Sequence, residues 1–236
     1  MEFSEPLISG RLHQRYKRFL ADVELESGDM VVAHCANPGS MLGLAEPGMP
    51  VWLSRARNPA RKLRYSWELV MADGGLVGIN TAHPNGIVVE ALAEGLIVEL
   101  TGYDTTKREV RYGRNSRIDL LLERDGRPPC YVEVKNVTLK RGATAAEFPD
   151  SVTQRGAKHL EELSDMVRSG ARAVMFYLVQ RSDCSRFEIA RDIDPAYGRA
   201  FDKAVNQGVE VLCYSCSIRP EAIELGNRLK VVPLVT

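Results

Sequence analysis

The sequence lacks most of the features that assign a chain to a class by composition alone. No apolar run approaches the roughly 18 to 20 residues of a membrane span, so no membrane partner is expected. The start, MEFSEPLISG, has acids where a secretory leader would have lysines, and a cytoplasmic protein is the expectation. Five cysteines, at 35, 130, 184, 213 and 216, form an odd, scattered set rather than a disulfide framework, which suits a reducing compartment. Net charge is absent as well. With 31 Lys and Arg against 31 Asp and Glu, any contact with nucleic acid must come from a local patch. No repeat, no low-complexity tract, no G-x-G-x-x-G and no Walker loop occurs, so a nucleotide cofactor is not expected. CYSC has C-x-x-C spacing, but a second zinc-ligand pair is missing and Cys213 alternates with valines as a core residue would.

What is present is an ordinary globular composition, 44% apolar and 26% charged, over 236 residues. The first 80 or so residues read as short β-rich runs: RYKRFLADVEL, DMVVAHC, PVWLSRA, YSWELVMA and GLVGIN. Gly, Pro, Asn and Asp separate them, and five or six strands at this spacing suggest a small barrel of the OB type. At NTAHPNG the period changes. IVVEALAEGLIVELTG reads as a helix ending at Gly102, and KREVRYG, RIDLLLE and CYVEVKNVTL read as strands. SVTQRGAKHLEELSDMVRSG reads as an amphipathic helix capped by Asp150 or Ser151 and closed by Gly170. ARAVMFYLVQ reads as a central strand buried on both faces; a helix (PAYGRAFDKAVNQG), a strand (VEVLCYSC) and a final helix (RPEAIELGNRLK) follow. The expected organisation is an α+β chain with a barrel over 1–83 and a mixed sheet flanked by helices over 84–236.

Three ionisable residues sit on two strands that otherwise look like core. With the turn at Gly126, antiparallel pairing sets Asp119 opposite Glu133 and Arg117 opposite Lys135. One face would then carry Asp119, Glu133 and Lys135; the other would carry Ile118, Leu120, Val132 and Val134. Two carboxylates that close repel unless a cation lies between them. Mg²⁺ or Mn²⁺ fits, since such ions use one or two carboxylates, waters and phosphate oxygens. Lys135 could orient the attacking water or neutralise charge on the phosphodiester.

Two basic stretches could track phosphates. RLHQRYKR supplies Arg15, Lys17 and Arg18 beside Tyr16, and RARNPARKLR supplies Arg55, Arg57, Arg61, Lys62 and Arg64 with no acid. A solvated arginine-rich loop explains them equally well. Arg155 and Lys158 lie three apart near a helix start and could hold a phosphate; solvent-facing charge beside a partly buried His159 is the alternative. His34 and Asn37, in HCANPGSM, could bind a ligand or satisfy their own turn.

The D…E-x-K hairpin within α-β-β-β-α-β resembles the PD-(D/E)xK, restriction-endonuclease-like core. Nearly the whole chain is similar to the sugar fermentation stimulation protein A family, through RYKRFLADV, HCANPGSM, WEL, SRIDLLL, YVEVKNVTL, FPD and TQRGAKHLEEL in that order. The resemblance implies a bacterial protein that binds DNA without sequence preference, with a regulatory role in sugar, notably maltose, metabolism. Carried over, the nuclease pattern falls on Asp119, Glu133 and Lys135, and the preceding helix adds Glu90 as a further metal ligand. Pro38 stands where the family usually has Thr. The expectation is a DNA-binding protein with a metal-dependent nuclease-type site. An active Mg²⁺- or Mn²⁺-dependent endonuclease is the first alternative, and a small-molecule enzyme of sugar metabolism the weakest. A homodimer is left open.

Overall fold

The computed structural model describes residues 1–58, 60–113 and 115–232. Six strands come first: β1 (Ile8–Tyr16), β2 (Leu20–Leu25), β3 (Met30–Cys35), β4 (Pro50–Arg55), β5 (Tyr65–Ala72) and β6 (Gly75–Gly78). They pair in the order β3-β2-β1-β4-β5-β6, and a parallel β3–β5 contact closes the first five into a barrel. Alternation decides the inside. Leu12, Val23, Ala33, Leu53 and Trp67 point inward and are almost fully buried, with Trp67 Nε1 donating to the Leu69 carbonyl at 2.9 Å. RYKRFLADVEL is not one strand. Lys17 and Arg18 adopt φ of 47° and 63°, turning β1 into β2, a conformation that costs non-glycine residues something and needs support. Arg15 Nη2 gives that support by donating to the Arg18 carbonyl at 2.9 Å.

Next come α1 (Pro84–Ala93), β7 (Thr105–Tyr112), β8 (Ser116–Arg124), β9 (Arg127–Val137), β10 (Ala145–Phe148), α2 (Gln154–Arg168), β11 (Arg172–Val179), β12 (Arg186–Ile189), α3 (Pro195–Asn206), β13 (Glu210–Arg219), β14 (Ala222–Arg228) and β15 (Lys230–Val231). A second six-stranded sheet runs β14-β13-β11-β9-β8-β7, with β11 parallel to both β9 and β13. β11 is buried on both sides: Ala173, Met175, Tyr177 and Val179 join the cluster under α2 and α3, while Val174, Phe176 and Leu178 join the cluster under α1. This two-sided burial is what its unbroken apolar run requires. β10, β12 and β15 make a small parallel sheet that was too short to leave a periodic signal.

Several boundaries differ from expectation. α1 stops at Gly95, whose φ of 70° breaks the helix, and a 3₁₀ turn over Val98–Leu100 carries the chain on to Gly102. RPEAIELGNRLK is strand, not helix. Arg219 pairs with Ala222 across a tight turn, and β14 buries Ala222 and Ile223 against the sheet edge. Tertiary pairing outweighs a helix-like spacing there. Cys213 and Cys216 fall in the clusters on opposite faces of the sheet, so CYSC cannot grip one ion. No helix among the described residues is long and apolar enough to cross a membrane.

The cap of α2 is Thr153, whose Oγ1 accepts from Gly156 N at 3.1 Å, not Asp150 or Ser151. Asp150 reaches the barrel instead, where its Oδ2 accepts from Ser40 N at 2.8 Å and Met41 N at 3.4 Å. Buried Asp194 serves both helices: Oδ1 accepts from Tyr197 N at 2.9 Å, capping α3, and Oδ2 from Thr153 N at 2.8 Å. Asp194→Ala therefore uncaps one helix and strands a backbone donor at the start of the other. We expect it to cost roughly 2–3 kcal/mol, against about 1 kcal/mol for Thr153→Ala, in denaturant unfolding. Equal losses would show that the shared contact carries no extra stability.

Candidate metal and nucleic-acid site

β8 and β9 pair as expected through Leu120–Val132, Leu121–Tyr131 and Leu122–Cys130, with the register shifting near the Gly126 turn. The described ladder begins at Leu120–Val132, so Asp119 sits where the two strands part. Its Oδ2 accepts from Val134 N at 2.8 Å and its Oδ1 from Asn85 Nδ2 at 2.8 Å. Because it accepts from a neighbouring strand's backbone, the Asp119 carboxylate reaches toward β9 where the ladder opens. Ile118 also departs from the expected pattern. It packs in the α2-side cluster, while Leu120, Val132 and Val134 pack on the α1 side. The alternation breaks at the acid, and this break lets Asp119 turn inward between the strands.

Glu133 faces α2 and is 3% exposed. Its Oε1 is held by His159 Nδ1 and by Lys135 Nζ, the latter at 2.7 Å. Lys135 Nζ and His159 Nδ1 are 3.2 Å apart, and Arg155 Nε lies 3.3 Å from His159 Nε2. Burial works to raise the Glu133 carboxyl, but His159 and Lys135 overcome it and hold the group below the ordinary glutamate range. Asp119 moves the other way. Burial, then the Glu133 charge, pushes it above the ordinary aspartate range, and the Val134 N–H, Asn85 and Lys135 offset this only in part. Tyr112, on β7, is affected similarly: burial, then the Glu133, Glu162 and Asp119 charges, keeps its hydroxyl protonated.

Two buried atoms here, Glu133 Oε2 and the Tyr112 hydroxyl, have no hydrogen-bond partner among the described residues. Buried polar atoms nearly always have one. No group of three or more His, Cys, Asp or Glu among the described residues is arranged around a metal. The fit to a divalent cation therefore rests on two carboxylates, one of them with an uncommitted buried oxygen. That donor set suits a hard ion that completes its shell with water and phosphate oxygens.

Other expected residues lie elsewhere. Glu90 is half-exposed and pairs with the Met1 amino group at 2.5 Å. Asn85, five positions earlier and so roughly 140° around the helix, is the α1 residue that meets Asp119. Arg15 and Arg18 spend hydrogen bonds on the 37–39 loop: Arg15 Nη2 on the Asn37 and Gly39 carbonyls at 2.9 and 3.0 Å, Arg18 Nη2 on Pro38 at 2.8 Å. Asn37 is likewise committed, donating to the Ile79 carbonyl and accepting from Gly39 N, both at 2.9 Å. Arg61 Nη1 donates to Ser66 Oγ at 3.0 Å and Arg57 Nε to Ser4 Oγ at 3.3 Å, whereas Lys17, Arg55, Lys62 and Arg64 are exposed. On α2, exposed Arg155 touches His159, and Lys158 lies 3.6 Å from Glu162. Sequence reasoning gave His159 only a bystander's place and missed Asn85 and Tyr112. His159 and Arg155 lie four apart on one helix face, a spacing that could have flagged the pair.

Comparison with known proteins gives a consistent result. The family model described as the SfsA N-terminal OB domain matches residues 14–79, and that described as the sugar fermentation stimulation protein RE domain matches 82–222. The chain is 62% identical over 229 residues to a sugar fermentation stimulation protein homolog of Paramagnetospirillum magneticum, covering 97% of each. It is 60% identical to that of Rhodospirillum centenum, covering 98% of this chain and 99% of the relative. The structure of Pyrococcus furiosus SfsA in complex with Ca²⁺ superimposes with a TM-score of 0.90 at 26% identity, covering 99% and 98% of the two chains.

Glu133 stays ionised in a buried place because Lys135 and His159 are there, so its contribution to stability holds above the ordinary glutamate range and is lost as pH falls through its depressed value. Lys135→Met removes one partner and should cost about 3 kcal/mol at pH 7. The difference from the parent should be smaller at pH 4 than at pH 7, because loss of one partner moves protonation of Glu133 to higher pH in the variant. Urea unfolding at both pH values reads this out; an undiminished gap at low pH would show that the loss is packing and not charge.

Proposed function

The chain belongs to the sugar fermentation stimulation protein family, and from that premise we propose that it binds DNA along the phosphate backbone and carries a divalent-cation-dependent phosphodiesterase site at Asp119 and Glu133. The observation that carries this reading is the buried Glu133 Oε2, unpartnered among the described residues, in a site where burial and then the Glu133 charge raise Asp119. A neighbouring cation relieves both at once. The Ca²⁺ complex of the P. furiosus relative is in keeping with this, since Ca²⁺ and Mg²⁺ share a demand for oxygen ligands.

Asp119 and Glu133 would hold Mg²⁺ or Mn²⁺, which when bound acidifies a water and offsets charge on the phosphodiester. The protein's own groups do the rest. Asn85 and the Val134 N–H fix Asp119, and His159 fixes Glu133 Oε1 so that Oε2 stays available. Lys135 Nζ, held at 2.7 Å from Glu133, is placed to orient a water or neutralise a phosphate oxygen. The barrel supplies exposed Lys17, Arg55, Lys62 and Arg64 as sequence-independent phosphate contacts. A role in sugar metabolism enters only through the family's name.

Plasmid and single-stranded DNA incubated in Mg²⁺ or Mn²⁺ should be cleaved by the parent, with activity falling at least about a hundredfold in Asp119→Ala, Glu133→Ala and Lys135→Ala. DNA binding without cleavage in either metal would identify a non-catalytic DNA-binding regulator. A second expectation concerns pH. The raised Asp119 carboxyl means that its ionisation costs the metal-free protein stability as pH rises through that value, and a bound cation reverses this cost. Addition of Ca²⁺ or Mn²⁺ should raise Tm at pH 7.5 and do so less on acidification, the effect fading above the ordinary aspartate value of about 3.9. A shift that persists in Glu133→Ala would put the ion elsewhere.

A further inference from the structure

Several arginines are spent on the protein itself. Arg141, Arg172, Arg181 and Arg191 grip carboxylates, and Arg15, Arg18 and Arg127 hold backbone carbonyls. Arg155 is different. It is exposed, and its one contact among the described residues runs from Nε to His159 Nε2 at 3.3 Å. An imidazole nitrogen is a single-point acceptor, so both terminal nitrogens of the guanidinium stay uncommitted among the described residues. Free donors in that fixed fork match the oxygens of a phosphate.

The His159 contact sets the fork at the acidic site. His159 Nδ1 reaches Glu133 Oε1, Lys135 Nζ lies 2.7 Å from the same oxygen, and Lys135 Nζ and His159 Nδ1 are 3.2 Å apart. Arg155, His159, Glu133 and Lys135 are therefore one continuous chain of polar contacts, which joins two cations to one carboxylate. Its anchor is firm. Arg155 and His159 lie four apart on one face of α2, and His159 is buried next to Leu160, which packs in the core with Leu163. Arg155 is also the second residue of α2, in a first turn that has no acid. The helix dipole favours negative charge there, so a cation at that end is poorly placed until an anion arrives.

We infer that the Arg155 guanidinium binds the DNA phosphate next along the strand from the one at Asp119 and Glu133. The inference rests on the phosphodiesterase reading of that site and adds a phosphate contact on the sheet domain to those of the barrel. The His159 ring separates the guanidinium from Glu133, so the phosphate that Arg155 holds is the neighbour and not the one at the acids. Arg155 is a binding residue: it holds the strand and takes no part in bond cleavage. Arginine suits the place because Nε stays on His159 while the terminal nitrogens meet the phosphate; a lysine has one nitrogen for both.

The test is the salt dependence of binding to a short duplex and to a single-stranded oligonucleotide, measured by fluorescence anisotropy without divalent metal. The proteins compared are the parent, Arg155→Gln and Arg155→Lys. Arg155→Gln should reduce the slope of log Kd against log salt by about 0.9 on duplex or about 0.7 on single strands, the value of one phosphate contact. Arg155→Lys keeps the charge and should keep the slope, but weaken binding about fivefold because the fork is lost. With Mg²⁺ present, Arg155→Gln should raise KM for cleavage about tenfold and leave kcat within about twofold of the parent, the pattern of lost uniform binding. Tm of the metal-free variants should be unchanged or slightly raised, since a cation leaves the helix start, and the Ca²⁺-induced rise in Tm should remain. An unchanged slope in Arg155→Gln, with normal DNA binding by the parent, would overturn this inference alone. A fall in Tm together with loss of the Ca²⁺ response would show that Arg155 only props His159 against Glu133, and would overturn it too. DNA binding without cleavage by the parent would overturn the phosphodiesterase reading and not the Arg155 contact, which the metal-free slope decides. Absence of DNA binding by the parent would overturn both.

Discussion

The arrangement of the sheet domain turns on keeping one carboxylate charged at 3% exposure. An ionised group taken out of water costs several kcal/mol unless its partners are fixed in place. Glu133 gets those partners from its own strand, through Lys135, and from α2, through His159. The second contact makes the position of α2 part of the electrostatics of the site. That position is set by packing of Leu160 and Leu163 in the core and by the Thr153 and Asp194 caps. Helix seating, core packing and the ionisation of Glu133 are thus one problem solved together.

The same logic ties the barrel to the sheet. Arg181 is 2% exposed and reaches Asp73 in the β5–β6 turn at 2.7 Å and Asp183 at 2.8 Å. Burial disfavours that charge, and the two carboxylates keep it. Gly78 N donates to the Gln180 carbonyl at 3.0 Å, and a Cβ at Gly78 would come within 2.5 Å of Oε1 of the buried Gln180 side chain, which would have to shift. Near the other end of the contact, Asp150 holds the 40–41 backbone. Buried Glu68 adds a third tie: it takes hydrogen bonds from Ser54 and Asn80 and contacts His83, immediately before α1 and two residues from Asn85. Polar contacts of this kind are directional, so they fix orientation where apolar contact alone would allow sliding.

Charge is distributed unevenly in kind, although its sum is zero. Arg172, Arg181 and Arg191 are matched by acids, whereas Arg15, Arg61 and Arg127, also half-buried, hold backbone carbonyls or a serine hydroxyl. Among the described residues, basic side chains with no carboxylate partner include Lys17, Arg55, Lys62 and Arg64 on the barrel surface. A chain can in this way present local positive patches without bulk basicity, and net charge is a weak guide to its partners.

Much of this was determined by the sequence alone. Strand periodicity fixed the β8–β9 register, the all-apolar run fixed β11 as a central strand, and the D…E-x-K spacing marked Asp119, Glu133 and Lys135 as neighbours. The first two signals depend on residues a few positions apart, and the third on a hairpin whose register follows from its turn. Tertiary structure alone decided that Asp119 turns into the gap between strands, that Asn85 and not Glu90 meets it, and that His159 holds Glu133. It also decided that RPEAIELGNRLK is a strand. The first three rest on partners 15 or more residues away in the chain, or on the helix phase at which such a partner arrives, and the last on pairing with β13 across the Arg219–Ala222 turn. Pattern along the chain carries no record of either, because the deciding energy is contact and desolvation in three dimensions.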